Sequence, residues 1–252
     1  MKSSGDRYRQ LNDNNVASAQ THVFERGSLE SSAIGKGEFV FVVHSSALTK
    51  LSAILVTVTI ALVYLIGGST SVLPFWPLTT ISIYGSTLPA AYFFRAGLIS
   101  TGNLIILLAL SLRKYATFQL NHNILLVSGV CLIACAAISC KENNAVHTVF
   151  ALVFFLLISI FQITLARKLF LRPHPTKEER KLRIYSLCAG MFVLSEILVV
   201  LLMGTHIFYL PRKIVIPLLE WSGVLVIIGF LFHLENFLNA QKQIPNAHVS
   251  KI

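Results

Sequence analysis

The sequence predicts an all-α polytopic membrane protein, with six transmembrane helices in one bundle, and three observations carry that expectation. Apolar side chains make up 54% of the residues and charged ones only 13%, with a mean hydropathy of +0.70; soluble domains carry about 25% charged residues. Six near-continuous apolar runs occur, each close to the roughly 17–25 residues that cross a hydrocarbon layer. Basic residues gather at alternate ends of those runs. A closed β-barrel is the only other spanning architecture, and its walls need a period-two alternation that these runs lack.

The elements follow in order. Residues 1–38 are rich in Ser, Asn, Gln and Gly with few large apolar side chains; such a segment buries too little surface to offset its ordering entropy, and a disordered cytosolic tail is expected. It has no apolar core followed by a small-residue cleavage site, so no cleavable signal peptide is expected. Phe39-Val40-Phe41-Val42-Val43 is too short to span and reads as an interfacial lead-in to a membrane domain over 39–240. The predicted spans are Leu51–Ile66, Ala90–Leu112, Ile124–Cys140, His147–Ala166, Ile184–Met203 and Ile214–Phe237, with a cytosolic tail from 241 to 252. The connections are short, which leaves no separate soluble domain. The first loop, Gly67–Pro89, contains no charge and holds Pro74, Pro77 and Pro89 around Phe75-Trp76. Proline rigidity with aromatic rings predicts an ordered cap on the membrane interface, or simply a stiff loop.

Orientation comes from the basic residues. With both termini cytosolic, 17 of the 21 Lys and Arg fall on the cytosolic side, seven of them between Arg167 and Arg183. Arg95, Lys141, Arg212 and Lys213 alone fall opposite. The positive-inside rule therefore predicts cytosolic termini, and the formal charge of +10 reads as a topology signal. Nucleic-acid binding is excluded on the same ground, since the basic residues flank spans without an interleaved aromatic platform.

In that frame Arg95, His147, Glu196 and Glu220 occupy one layer near the non-cytosolic face. Arg95, Glu220 and Glu196 are roughly 8, 9 and 10 Å deep at 1.5 Å per residue, and His147 opens the fourth span at that face. An ionised side chain in a bilayer costs several kcal/mol unless paired or hydrated, so such residues mark functional interiors. Two readings stay open. Either Arg95 pairs with Glu220 or Glu196 and locks the bundle, or the four residues line a pocket for a lipid head group. In the second, Arg95 and Trp221 meet the head group while His147, Glu196 and Glu220 handle protons as catalytic groups.

Other polar residues point to structure. Asn103 and Gln162 read as interhelical hydrogen bonds worth about 0.6 kcal/mol each. His233 and Glu235 read as snorkelling groups at the cytosolic end, and His206 as a loop histidine beside the pocket. Cys131, Cys135, Cys140 and Cys188 show no CxxC or disulfide-forming pattern and read as small packing residues. His147, Glu196 and Glu220 would suit zinc chemically, but no metal or other cofactor is expected. No Walker A loop, Gly-x-Ser-x-Gly elbow or His-Glu-x-x-His motif occurs.

The stretch from Pro77 through Ser82 and Gly85 to Pro89 with the span after it, His147 opening the fourth span, and Leu219-Glu220-Trp221 in the sixth together resemble the Frag/DRAM/Sfk superfamily of six-span membrane proteins. The resemblance covers most of Phe39–Phe237. Tyr92-Phe-Phe-Arg95, Val146-His147 and Phe232-His233-Leu-Glu-Asn-Phe237 look closest to the group of the second post-GPI-attachment factor and the Cwh-type N-terminal region of its fungal relatives. In that group a histidine and a further basic residue follow the arginine; here Thr101, Asn103 and Ile105 stand in that stretch. The resemblance implies lipid remodelling of GPI anchors on the lumenal side of the Golgi or endoplasmic reticulum, with membrane lipids and GPI-anchored proteins as partners. The DRAM and Sfk branches imply instead a non-enzymatic lipid-sensing or scaffolding protein linked to autophagy or phospholipid organisation.

Overall fold

The computed structural model describes residues 44–69, 79–118, 121–204 and 212–243. All lie in one unit of the chain, Val43–Ile252. The expectations for the N-terminal tail, the lead-in Phe39–Val43, the Pro74–Pro77 part of the cap, His206 and residues 244–252 lie outside the described residues.

Among the described residues every regular element is helical: α1 (Ser45–Ser69), α2 (Ile81–Tyr84), α3 (Ala90–Leu112), a 3₁₀ turn (Ala116–Phe118), α4 (His122–Ala137), α5 (Asn144–Phe170), α6 (Lys177–Gly204) and α7 (Arg212–Gln243). Five of them, α1, α3, α5, α6 and α7, are long and apolar enough to cross a membrane, which makes this an integral, multi-pass membrane protein. The expected third span is shorter than predicted. Helix α4 has 16 residues, about 24 Å at 1.5 Å per residue, against a hydrocarbon core of about 30 Å. It stops at Ala137 because Ile138 turns to extended backbone (ψ 107°) and Ser139 joins Glu142 in a reciprocal turn. The Glu142 carboxylate accepts from the Ser139 amide at 2.9 Å, and the Ser139 hydroxyl accepts from the Glu142 amide at 3.2 Å.

Side-chain caps set the other helix starts. Thr80 accepts from the Ile83 amide at the start of α2, and Asn143 from the Val146 amide at the start of α5, satisfying N–H groups that have no partner within the helix. Helix α6 begins seven residues before the predicted Ile184, at a capping box: Glu179 accepts from the Thr176 amide while Thr176 accepts from the Glu179 amide. Helix α7 runs on to Gln243, past the expected tail boundary at 241.

The helices α1, α3, α4, α5, α6 and α7 form a closed ring in chain order, each packed on the next, with α7 returning to α1. Neighbours run antiparallel, as the paired contacts Gly102 with Ile133 and Gly129 with Ile106 between α3 and α4, Asn121 with Thr164 and Cys135 with His147 between α4 and α5, and Glu196 with Gly223 and Tyr185 with Gly229 between α6 and α7 require. A Cβ on either Gly102 or Gly129 would stand 2.9 Å from the other's carbonyl oxygen, so only glycines permit this close approach of α3 and α4. The apolar residues that face outward, such as Leu51, Leu65, Leu110, Val130, Leu198 and Leu225, are a cost in water and natural against lipid. The interior is filled unevenly. Phe118, Phe161, Phe230, Leu165, Leu169, Leu182 and Leu234 are fully buried toward the end where α5 finishes and α6 begins. The opposite end, where α2 sits, is hollow.

Candidate functional site

A cavity of about 940 Å³ opens at that hollow end, walled by α2, the α4–α5 connection, α5, α6 and α7. Its lining changes character with depth. Lys141, Lys213, Thr79, Thr80 and Asn144 stand toward the loops, interspersed with Ile83, Val200 and Ile216, whereas Leu152, Phe155, Val193 and Ile197 form an apolar wall toward the bundle centre. Along α5, Asn144 to Phe155 covers about 16 Å at 1.5 Å per residue. Pro217 lines the cavity within α7; it has no N–H, so the carbonyl of Lys213 one turn earlier is left without its helical partner at the cavity edge.

The polar centre of the wall is a chain of three side chains. Ser82 on α2 lies with Oγ 2.6 Å from Glu220 Oε1, and its amide donates to the same oxygen at 3.2 Å. His147 Nε2 lies 3.1 Å from Ser82 Oγ. His147 Nδ1 lies 2.7 Å from the Ile138 carbonyl and 2.9 Å from that of Cys135; carbonyls only accept, so Nδ1 carries a hydrogen and the ring orientation is fixed. His147 is 3% exposed. Three elements far apart in sequence, α2, α5 and α7, thus meet at one serine hydroxyl.

Glu196 on α6 lines the same cavity but belongs to a separate contact, with the Ser222 hydroxyl 2.5 Å from its Oε1. It needs Gly223: a Cβ there would stand 2.7 Å from Glu196 Oε2. His147, Glu196 and Glu220 all line this one space, though only His147 and Glu220 are linked, through Ser82.

Arg95 is placed differently from either reading. Its guanidinium pairs with Glu142 at 2.5 Å, both side chains being substantially exposed at 38% and 54%, and it is not among the cavity-lining residues. The physical reason lies in α4. Because that helix ends early, Glu142 falls in the following turn within reach of α3, and Arg95 meets this acidic group in place of Glu220 or Glu196. The Arg95 guanidinium, helped by the Ser139 amide, holds the Glu142 carboxyl below the usual carboxylate range. Trp221 also stands outside the lining: its indole N–H donates to the Thr79 carbonyl at 3.0 Å, and its ring meets Tyr64 edge-on at 5.4 Å. It anchors the approach to α2, leaving cation duty at the cavity to Lys141 and Lys213.

Other expectations change as well. Asn103 is exposed, and Gln162 is wholly buried against Gly190 with no hydrogen-bond partner for its amide among the described residues; neither forms the expected interhelical bond. His147, Glu196 and Glu220 do not converge as ligands, and among the described residues no three His, Cys, Asp or Glu side chains could hold a metal ion. All four cysteines are free. Two of them border the site: Cys135 Sγ lies 3.7 Å from His147 Nδ1, and Cys140 Sγ donates to the Ser82 carbonyl at 3.4 Å. His233 packs its ring on Tyr185, centroids 4.4 Å apart.

The residues missed from sequence are Ser82, Ser222, Lys141 and Lys213. Ser82 had a signal in its position within an uncharged, proline-bounded loop. The lysines had one in their minority placement opposite the other basic residues. A scan of family models, curated proteins and solved structures finds no match to this chain.

Proposed function

We propose that this protein is a six-span membrane protein that takes the head group of an anionic lipid into the cavity and acts in remodelling the lipid of GPI anchors. The observation that carries the reading is the graded lining: two lysines and several hydroxyls at the loop end, an acid–base chain on the wall, and an apolar wall below. A phosphate suits the lysines and an acyl chain suits Phe155, Val193 and Ile197, so an amphiphile fits as a whole. Helix α4 serves as the sixth span. It runs beside α5 from the contact of Asn121 with Thr164 to that of Cys135 with His147, and the turn around Ser139 completes its depth. The GPI-anchor assignment rests on the resemblance in the Pro77–Pro89 stretch, His147 and Leu219-Glu220-Trp221, which includes the residues of the acid–base chain. The lumenal face of the secretory pathway follows from the basic asymmetry together with that resemblance.

The test uses a photoreactive phosphatidylinositol with the purified full-length chain in nanodiscs. Labelling should map to peptides of α5 and α7, and Lys141→Gln with Lys213→Gln should lower it about tenfold, the equivalent of 1.4 kcal/mol. Labelling that ignores both lysines would overturn the head-group assignment. In cells lacking the chain, unchanged lipid composition of GPI-anchored proteins would overturn the pathway assignment.

One observation favours a second reading, a scaffold of the DRAM or Sfk kind. Ser82, His147 and Glu220 satisfy one another and tie α2 to α5 and α7, which structural glue would also do. That reading expects no lipid labelling within the cavity.

A further inference from the structure

We infer that Glu220, Ser82 and His147 work as one acid–base unit holding a single shared proton, with Ser82 as the relay between the two titratable groups. The argument is a hydrogen count. Ser82 Oγ has one hydrogen and stands within bonding distance of both Glu220 Oε1, at 2.6 Å, and His147 Nε2, at 3.1 Å. Nδ1 already donates to backbone carbonyls, so only Nε2 can vary. Two arrangements satisfy every contact. In one, Ser82 donates to a Glu220 carboxylate and accepts from Nε2–H of an imidazolium. In the other, a Glu220 carboxylic acid donates to Ser82, and Ser82 donates to a neutral Nε2. Both contain the same number of protons and differ by a concerted shift of one hydrogen along each bond. A carboxylate beside a neutral imidazole leaves two acceptors competing for one hydrogen, and a carboxylic acid beside an imidazolium fills both lone pairs of Ser82 Oγ and leaves the hydroxyl hydrogen with no acceptor in the unit. Removing a proton therefore breaks a contact, and adding one turns the Ser82 hydrogen out of the unit, so the three side chains satisfy one another only when one proton is shared between Glu220 and His147.

Among the titratable groups of the described residues, Cys135 touches the imidazole from α4, and Cys140 touches Ser82 from the connection. Glu196, Lys141 and Lys213 share the cavity without a bond to the unit.

The consequence is chemical, and its substrate rests on the lipid reading above. All three residues line the cavity. Such a unit fits acyl transfer between two oxygens, from an ester-linked lipid to the hydroxyl of a lysolipid. As the acceptor oxygen bonds to the carbonyl carbon, its proton goes to His147 Nε2. As the ester C–O bond breaks, the departing oxygen takes the proton of Glu220. The unit is left as carboxylate and imidazolium, and Ser82 restores it by accepting from Nε2 while donating to Glu220. One ester is consumed and one is made, with no further reactant. His147 and Glu220 are the catalytic residues, and Ser82 is a positioning residue that returns the proton.

The decisive experiment needs no lipid substrate. Infrared titration of the full chain in nanodiscs would follow the Glu220 carboxyl, identified as the band lost in Glu220→Gln. With Ser82 present, His147→Gln should move that titration by about one pH unit or more, the scale at which two sites are coupled. In a Ser82→Ala background the same change should move it little, and Ser82→Thr should restore the coupling. If Ser82→Ala does not fold, Ser82→Cys, with a similar shape and a weak S–H donor, carries the comparison. An equal shift with and without the hydroxyl would overturn the relay. A second measurement follows a fluorescent acyl chain from phosphatidylinositol to lysophosphatidylinositol. Ser82→Ala should slow it at least about tenfold and flatten its pH profile, and Ser82→Thr should recover it. Coupled titration without any transfer by the unaltered chain would overturn the assigned reaction alone, and loss of head-group labelling would count against the lipid reading separately.

Discussion

At the scale of single residues, partner choice decides what each ionisable group does. Arg95 and Glu142 show it at the membrane edge, where a partly exposed ion pair serves the turn after α4 and takes no part in the cavity. Exposed pairs contribute little on their own, but this one is joined to the Ser139 turn, and its pH dependence has a definite sign. The Glu142 carboxyl is held below its ordinary range, first by Arg95 and then by the Ser139 amide. The stability it lends is therefore present above the ordinary carboxylate value and is lost as pH falls through the lowered one. Hydrogen exchange of the Ser139–Asn143 amides should speed up across that acidic window, and Glu142→Gln should remove the pH dependence while leaving exchange fast throughout. Exchange that stays slow through the window would show that the pair does not hold the turn.

At the scale of elements, the two ends of the bundle are built by different means. Where α5 passes into α6, the buried Glu179 gathers the Thr176 amide, the Arg172 guanidinium and the Gln241 amide group. Arg172 and Lys168 also reach Thr117 within the 3₁₀ turn. This network stands over the filled aromatic core of Phe118, Phe161 and Phe230. That end is thus tied together by side-chain bonds over a filled core, while the other end holds the cavity. Thr176→Ala removes the capping oxygen of α6 and should cost about 1 kcal/mol, read as a lower midpoint of unfolding in detergent. Thr176→Ser should restore it. An unchanged midpoint for Thr176→Ala would show that Glu179 holds the helix start without the box.

At the scale of the whole molecule, the antiparallel ring places Lys181 and Lys141 at opposite ends, because α4–α5 and α5–α6 turn at opposite ends of α5. With the basic asymmetry, this gives a topology that can be tested directly. In sealed vesicles with the cytosolic face outward, cysteine placed at 181 should react with an impermeant maleimide and cysteine at 141 should not. A reactive 141 would turn the cavity toward the cytosol and remove the lumenal reading.

By itself the sequence determined the helical, multi-pass class and the placement of α3, whose bounds Ala90–Leu112 coincide with prediction. It also pointed to His147, Glu196 and Glu220 as neighbours at one depth. These are matters of length, hydropathy and rise per residue, which are local and additive along a chain. The tertiary structure decided partners. The end of α4 depended on a turn between Ser139 and Glu142, and that turn redirected Arg95. Ser82 became the centre of the site only because ring closure brings α7 to α1 and α2, within reach of α5. Hydrophobic periodicity records which residues leave water. It carries no record of which polar atoms will meet, because hydrogen bonds are directional and short, and a single helix rotated or shortened by one turn selects a different pair.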